Sequence, residues 1–111
     1  MPIAISAFHN KPIQRTVSFT VNGAPVNIEN SAVYFTAKRQ IYDRDGNAVI
    51  HKTLPKPDAE HGVALLTLTA DDLNLAPGVY PCDIQAVPQS GEALVVEGTL
   101  VIEAVVKNLN A

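Results

Sequence analysis

The chain has no tryptophan, one cysteine, and only three tyrosines and three phenylalanines. A core built from it must therefore be mostly aliphatic. The single thiol, Cys82, excludes an internal disulfide and fits a reducing compartment. Positive charge is also sparse. Eight Lys and Arg stand against eleven Asp and Glu, for a net charge of -3. The densest basic spots, Lys38-Arg39 and Lys52 to Lys56, do not form a run. A nucleic-acid binder neutralises phosphates with a basic face, so no nucleic-acid partner is expected. Gly, Pro and Asn interrupt the longest uncharged stretches, and no helix long enough to cross a bilayer is expected. The opening Met1-Pro2-Ile3-Ala4-Ile5-Ser6 lacks a basic start and a sustained apolar core, so no signal peptide is expected and the chain is placed in the cytoplasm of its cell.

At 111 residues, 47% of them hydrophobic and 17% charged, the chain reads as one folded domain over residues 1–111. A domain of about this size buries roughly 60 to 70% of the surface that its unfolded chain exposes. The dominant pattern is alternation with a period of two, the mark of a strand with one buried face. Ile13, Val17, Phe19 and Val21 are predicted to share a face, opposite Gln14, Thr16, Ser18 and Thr20. Asn22-Gly23 then supplies the residue pair of a tight hairpin turn. Val33, Phe35 and Ala37 alternate with Tyr34, Thr36 and Lys38. Further strands are expected over 48–54, 62–69, 79–87 and 93–106, with Gly98 marking a bulge or a close backbone approach. Ile3, Ile5 and Ala7 fit a short edge strand within an N-terminal arm of residues 1–12, and residues 107–111 are expected to fray. The one helical candidate is a single turn over 70–75, capped by Thr69. About seven strands at this spacing favour a sandwich or a barrel.

The stretch 66–87 organises the rest. Leu66 and Leu68 alternate with Thr67 and Thr69, the Pro77-Gly78 pair bends the chain, and Tyr80, Cys82, Ile84 and Ala86 then share one side. Leu75, Pro77, Gly78 and Tyr80 together resemble the tyrosine corner of immunoglobulin-like sandwiches. In that corner a buried tyrosine bonds back to the backbone where the chain passes between sheets. The partner cysteine and core tryptophan of antibody domains are missing. The predicted fold is an all-β, immunoglobulin-like antiparallel sandwich.

No catalytic, cofactor or metal motif emerges, and the chain is not expected to be an enzyme. Asp43-Arg44-Asp45-Gly46-Asn47 has part of a calcium loop, but the twelfth position from Asp43 is Leu54 instead of a bidentate glutamate, so a turn is the reading adopted. His9, His51, His61 and Cys82 match no compact zinc spacing. Cys82 falls in the inward row and is expected to be an inert core thiol. Asp83 lies in the outward row, as a charge that discourages edge pairing or as a contact to a neighbouring subunit.

The order of pieces over 13–106 resembles the small immunoglobulin-like domain of tailed-phage and prophage tail and baseplate proteins, including the N-terminal domain of baseplate upper proteins. Thr16-Val17-Ser18-Phe19-Thr20 with Asn22-Gly23-Ala24-Pro25-Val26 is similar to that family's first hairpin, and 32–38 to its second strand. Leu66 to Asp72, Pro77-Gly78-Val79-Tyr80, Asp83-Ile84-Gln85 and Glu97 to Ile102 complete the resemblance. Two positions depart from it: Asn10-Lys11 stands where the family often has Gly-Asp, and Ile28-Glu29-Asn30-Ser31 replaces its Leu-Thr-Gly.

The resemblance implies a virion structural protein, assembled in the bacterial cytoplasm, that contacts other tail or baseplate proteins or copies of itself. It implies no cofactor and no membrane partner. Expected contact surfaces are Gln40 to Asn47, including Tyr42, Asp43 and Asp45, together with Asp83, Pro55 to Gly62 and the N-terminal arm. The alternative is a carbohydrate-binding or adhesin-like module, for which Tyr34, Tyr42 and Phe8 are the available aromatics.

Overall fold

A computed structural model describes residues 3–40 and 48–104. Tyr42, Asp43 and Asp45, with the turn expected over 43–47, lie outside the described residues, as does the tail 107–111.

The described residues form nine strands: β1 (Ile3–Phe8), β2 (Ile13–Ser18), β3 (Thr20–Val21), β4 (Ala24–Pro25), β5 (Ser31–Ala37), β6 (Ile50–Thr53), β7 (Val63–Leu68), β8 (Gly78–Pro88) and β9 (Leu94–Glu103). A five-stranded sheet has the order β1-β9-β8-β5-β6, while β2 pairs with β7 and β3 with β4. The chain thus passes from one sheet to another several times instead of running as a simple meander, although β3-β4, β5-β6 and β8-β9 each stay within one sheet. β7 and β8, for example, adjoin in sequence but belong to different sheets. One cluster of buried side chains fills the space between them, drawn from Phe35 and Val33 of β5, Leu66 and Leu68 of β7, Ile84 of β8 and Leu100 of β9, among others. This is the immunoglobulin-like sandwich, and its core is aliphatic apart from Phe19, Phe35, Tyr80 and the Cys82 thiol.

Three details differ from the sequence reading. First, the strand expected over 13–21 is broken at Phe19. Its amide donates to the Gly62 carbonyl and its carbonyl accepts from Val26, so β2 and β3 pair with different partners. Phe19 is buried, but Val21 is 49% exposed and does not share its face. This break adds one strand to the count. Second, β1 runs parallel to β9, with Ile3 opposite Gly98 and Phe8 opposite Glu103, so the sandwich is not wholly antiparallel. Third, a 3-10 turn forms at Ala59–His61, within the Pro55 to Gly62 segment, where no helical turn is expected from the sequence.

The other local signals correspond to geometry. Asn22 and Gly23 both have positive φ, 52° and 80°, as a two-residue hairpin of this type requires. At Thr69 a single capped turn forms. The Thr69 hydroxyl accepts from the Asp72 amide at 3.1 Å and the Thr69 amide donates to Asp72 Oδ2 at 2.8 Å. This is the reciprocal bonding of a capping box, with the shorter Asp in place of Glu.

Candidate functional site: the outer face of the large sheet

Each strand of the five-stranded sheet turns alternate residues away from the core. Buried Val33, Phe35 and Ala37 of β5 leave Tyr34 and Thr36 outward, and buried Cys82, Ile84 and Ala86 of β8 leave Asp83, Gln85 and Val87 outward. The register sets these residues in rows. His51 of β6 stands opposite Thr36 of β5, Thr36 opposite Asp83 of β8, and Asp83 opposite Glu97 of β9. The next row is Thr53, Tyr34, Gln85 and Val95.

Side-chain contacts tie the rows together. The Tyr34 and His51 rings stack with centroids 5.8 Å apart and an interplanar angle of 16°. Thr36 Oγ1 lies 3.0 Å from His51 Nδ1. Gln85 Nε2 donates to Asp83 Oδ2 at 3.1 Å. The other carboxylate oxygen, Asp83 Oδ1, is buried with no hydrogen-bond partner, and it is the one such side-chain atom among the described residues. Leaving a buried acceptor unsatisfied costs about 1–3 kcal/mol, more for a charged group. The cross-strand neighbour adds to this, since like charges directly opposite in an antiparallel pair repel.

Two shallow hollows open on this face. One, of about 210 Å³, is bordered by Thr36, Lys38, Asp83 and Glu97. The other, of about 370 Å³, is bordered by Tyr34, Thr36, His51, Asp83 and Gln85. Asp83 belongs to both. The sequence placed Asp83 outward, but the burial of one oxygen and the facing Glu97 depend on the pairing of β8 with β9, which alternation alone does not specify.

The corner beneath this sheet is built as follows. The Tyr80 ring is 7% exposed, and its hydroxyl donates to the Ala76 carbonyl at 2.5 Å. Leu75 packs against the core and its carbonyl accepts from His9 Nδ1 at 2.8 Å, while Pro77 and Gly78 are exposed at the bend. These contacts fix where β8 begins, and so the position of Asp83 three residues after Tyr80.

The histidines and the cysteine are dispersed. His9 bonds Leu75, His51 stacks on Tyr34, and His61 bonds both carboxylate oxygens of Asp58 at 2.9 and 3.0 Å. The hydrogen bond and charge of Asp58 raise the His61 pKa. Burial, with a smaller contribution from the Asp83 charge, pushes the Cys82 thiol up to about 11. Among the described residues no three His, Cys, Asp or Glu side chains gather as a metal site. The Pro55 to Gly62 segment is tied down from inside: the Lys56 ammonium donates to the carbonyls of Ile28, Glu29 and Ser31. The N-terminal arm supplies β1, whose outward Phe8 is 50% exposed.

No protein-family model and no curated protein matches the chain. Solved structures do. CopC from Methylosinus trichosporium OB3b superposes with a TM-score of 0.51 at 15% identity, covering 95% of this chain and 87% of that one. The sodium channel β4 extracellular domain and the Escherichia coli fimbrial subunit AggA superpose at only 0.37 and 0.36. The N-terminal domain of phage TP901-1 ORF48 superposes with a TM-score of 0.62 at 13% identity, covering 89% of this chain and 83% of that domain. The chain is thus an immunoglobulin-like sandwich similar in fold to a phage domain.

Proposed function

We propose that the protein is a structural module of a phage or prophage tail or baseplate, assembled in the bacterial cytoplasm, that acts through protein contacts and not through chemistry. The observation that carries this reading is the superposition on the phage TP901-1 domain over most of both chains. The geometry supports it: a sheet face with rows of fixed polar side chains offers a surface to a flat partner and no deep cleft to a substrate. The partners are other virion proteins or further copies of the chain. The test is to purify particles after induction of the host strain and probe them with an antiserum against this chain. Immunogold label on tails or baseplates is the expected result. Expression of the chain with none of it co-purifying with particles overturns the reading.

A carbohydrate-binding module is the second reading, favoured by Tyr34 beside Gln85 and Asp83 in one hollow. A glycan array without binders removes it.

A further inference from the structure

We infer that β1 is a pairing edge for a second copy of this chain, the two β1 strands lying antiparallel about a two-fold axis that sets Ser6 opposite its own equivalent. The inference rests on the protein-contact reading and names the surface, the partner and the register. β1 stands at one end of the five-stranded sheet, with β9 on its inner side. The His9 amide donates to the Glu103 carbonyl of β9, and the Ile3 carbonyl is aimed at Gly98. Backbone groups of successive strand residues point to alternate sides. Those of Ile3, Ile5 and Ala7 therefore face β9, while those of Ala4, Ser6 and Phe8 face away from the sheet. The Phe8 carbonyl accepts the Lys11 amide, and the other outward groups have no partner among the described residues.

An open edge of this kind templates another strand unless it is blunted. The other strand edges among the described residues are blunted. β6 has four residues and carries His51 and Lys52. β2 carries Arg15, whose guanidinium donates to the Gln14 carbonyl. On β7 the Val63 and Leu65 amides are taken by the Asp58 and Pro55 carbonyls. β3 and β4 have two residues each. β1 has no charge and no proline within its six residues, Ile3-Ala4-Ile5-Ser6-Ala7-Phe8. The occupant is a second copy because the strand complements itself. With the two Ser6 residues opposite each other, Phe8 of each copy faces Ala4 of the other on the outer face, and Ile5 faces Ala7 on the core side. Large meets small in both rows, and the half-exposed Phe8 ring gains cover. Stable complexes use about 20–30 residues a side. One six-residue strand is far fewer, so this pairing is reversible and driven by concentration.

The experiment follows the whole chain, labelled with ¹⁵N, by sedimentation equilibrium and amide spectra from micromolar to millimolar concentration. A monomer–dimer equilibrium is expected, with concentration-dependent shifts centred on the amides of Ala4, Ser6 and Phe8. Ser6→Lys sets two ammonium groups opposite each other and is expected to weaken association by about tenfold or more. Ser6→Pro removes the central outward amide, which bonds nothing within the chain, and is expected to abolish association. The Ser6 side chain is exposed, so Ser6→Lys is expected to keep the parent spectrum outside β1. Gln14→Lys, on the edge strand β2, is expected to leave association unchanged. A chain that stays monomeric at every concentration, association untouched by Ser6→Lys, or shifts centred on β2 or β6 overturns the inference. The immunogold test on particles reads the phage assignment separately, so either reading can fail without the other.

Discussion

Gly98 of β9 stands directly opposite Ile3 of β1 in their parallel pair, so close that a methyl group added at Gly98 would overlap the Ile3 carbonyl oxygen. The parallel pairing of β1 depends on this approach, and through it the burial of Ile5 and Ala7. Gly98→Ala is therefore expected to push the start of β1 off the sheet and cost about 1–3 kcal/mol, the usual range for overpacking. Urea unfolding gives the loss. Hydrogen exchange should place it, with the β1 amides losing protection before those of β5 and β8. Unchanged exchange in β1 would mean that the glycine serves no such role.

Tyr80 tests the corner. Tyr80→Phe keeps the buried ring and removes only the bond to the Ala76 carbonyl. Ala76 is exposed, so water can replace the hydroxyl. The expected cost is about 0.5–1.5 kcal/mol, toward the lower end. Tyr80→Ala removes the ring as well and should cost about 3–5 kcal/mol, as truncation of a buried aromatic does. The two midpoints, measured by urea unfolding, should be well separated. Equal losses would mean that the ring contributes nothing beyond its hydroxyl.

Much of the fold was legible because its signals are local. Alternation at Val33-Phe35-Ala37 and at Cys82-Ile84-Ala86 marked the inward rows, and Asn22-Gly23 marked a hairpin. Phe19 misled because its apolar character fits continued alternation, while the break comes from backbone bonds to Val26, across the hairpin, and to Gly62, far away in sequence. The parallel direction of β1 was hidden for the same reason, since alternation is blind to the direction of the neighbouring strand. At the candidate site, alternation set Asp83 outward. Its neighbours Thr36 and Glu97 follow from register, and register is fixed by the whole sandwich.

Asp72 links three elements and gives a pH dependence. Lys52 Nζ of β6 donates to Asp72 Oδ2 at 2.6 Å and also to the Thr67 carbonyl of β7, while Asp72 accepts the Thr69 amide. Partial burial alone would raise the Asp72 pKa, but the bonds from Lys52 and Thr69, with the Lys52 charge, together lower it below 3.8. A depressed carboxylate stabilises the fold above its unfolded pKa, and that contribution is lost as pH falls through the folded value. Asp72→Asn is expected to be less stable than the parent by about 1 kcal/mol at pH 7, given a partly exposed ion pair and one capping bond. The gap should close between about pH 5 and pH 2. Urea midpoints across that range read it. A gap that stays constant with pH would assign the effect to shape instead of charge.

Cys82 reports on opening of the sandwich. It is 8% exposed in the inward row of β8, and burial holds its thiol up at about 11. Near pH 8 only about one thiol in a thousand is then ionised in the native state, and the thiolate is the nucleophile. The native protein is expected to resist Ellman's reagent, whereas the unfolded chain in guanidinium should release one equivalent at once. Residual labelling of the native protein should track unfolding. Where opening and closing are fast, the rate should rise about tenfold for each 1.4 kcal/mol of stability lost in Gly98→Ala or Tyr80→Ala. Native labelling as fast as that of a small free thiol would place Cys82 at the surface, and with it the whole inward row of β8.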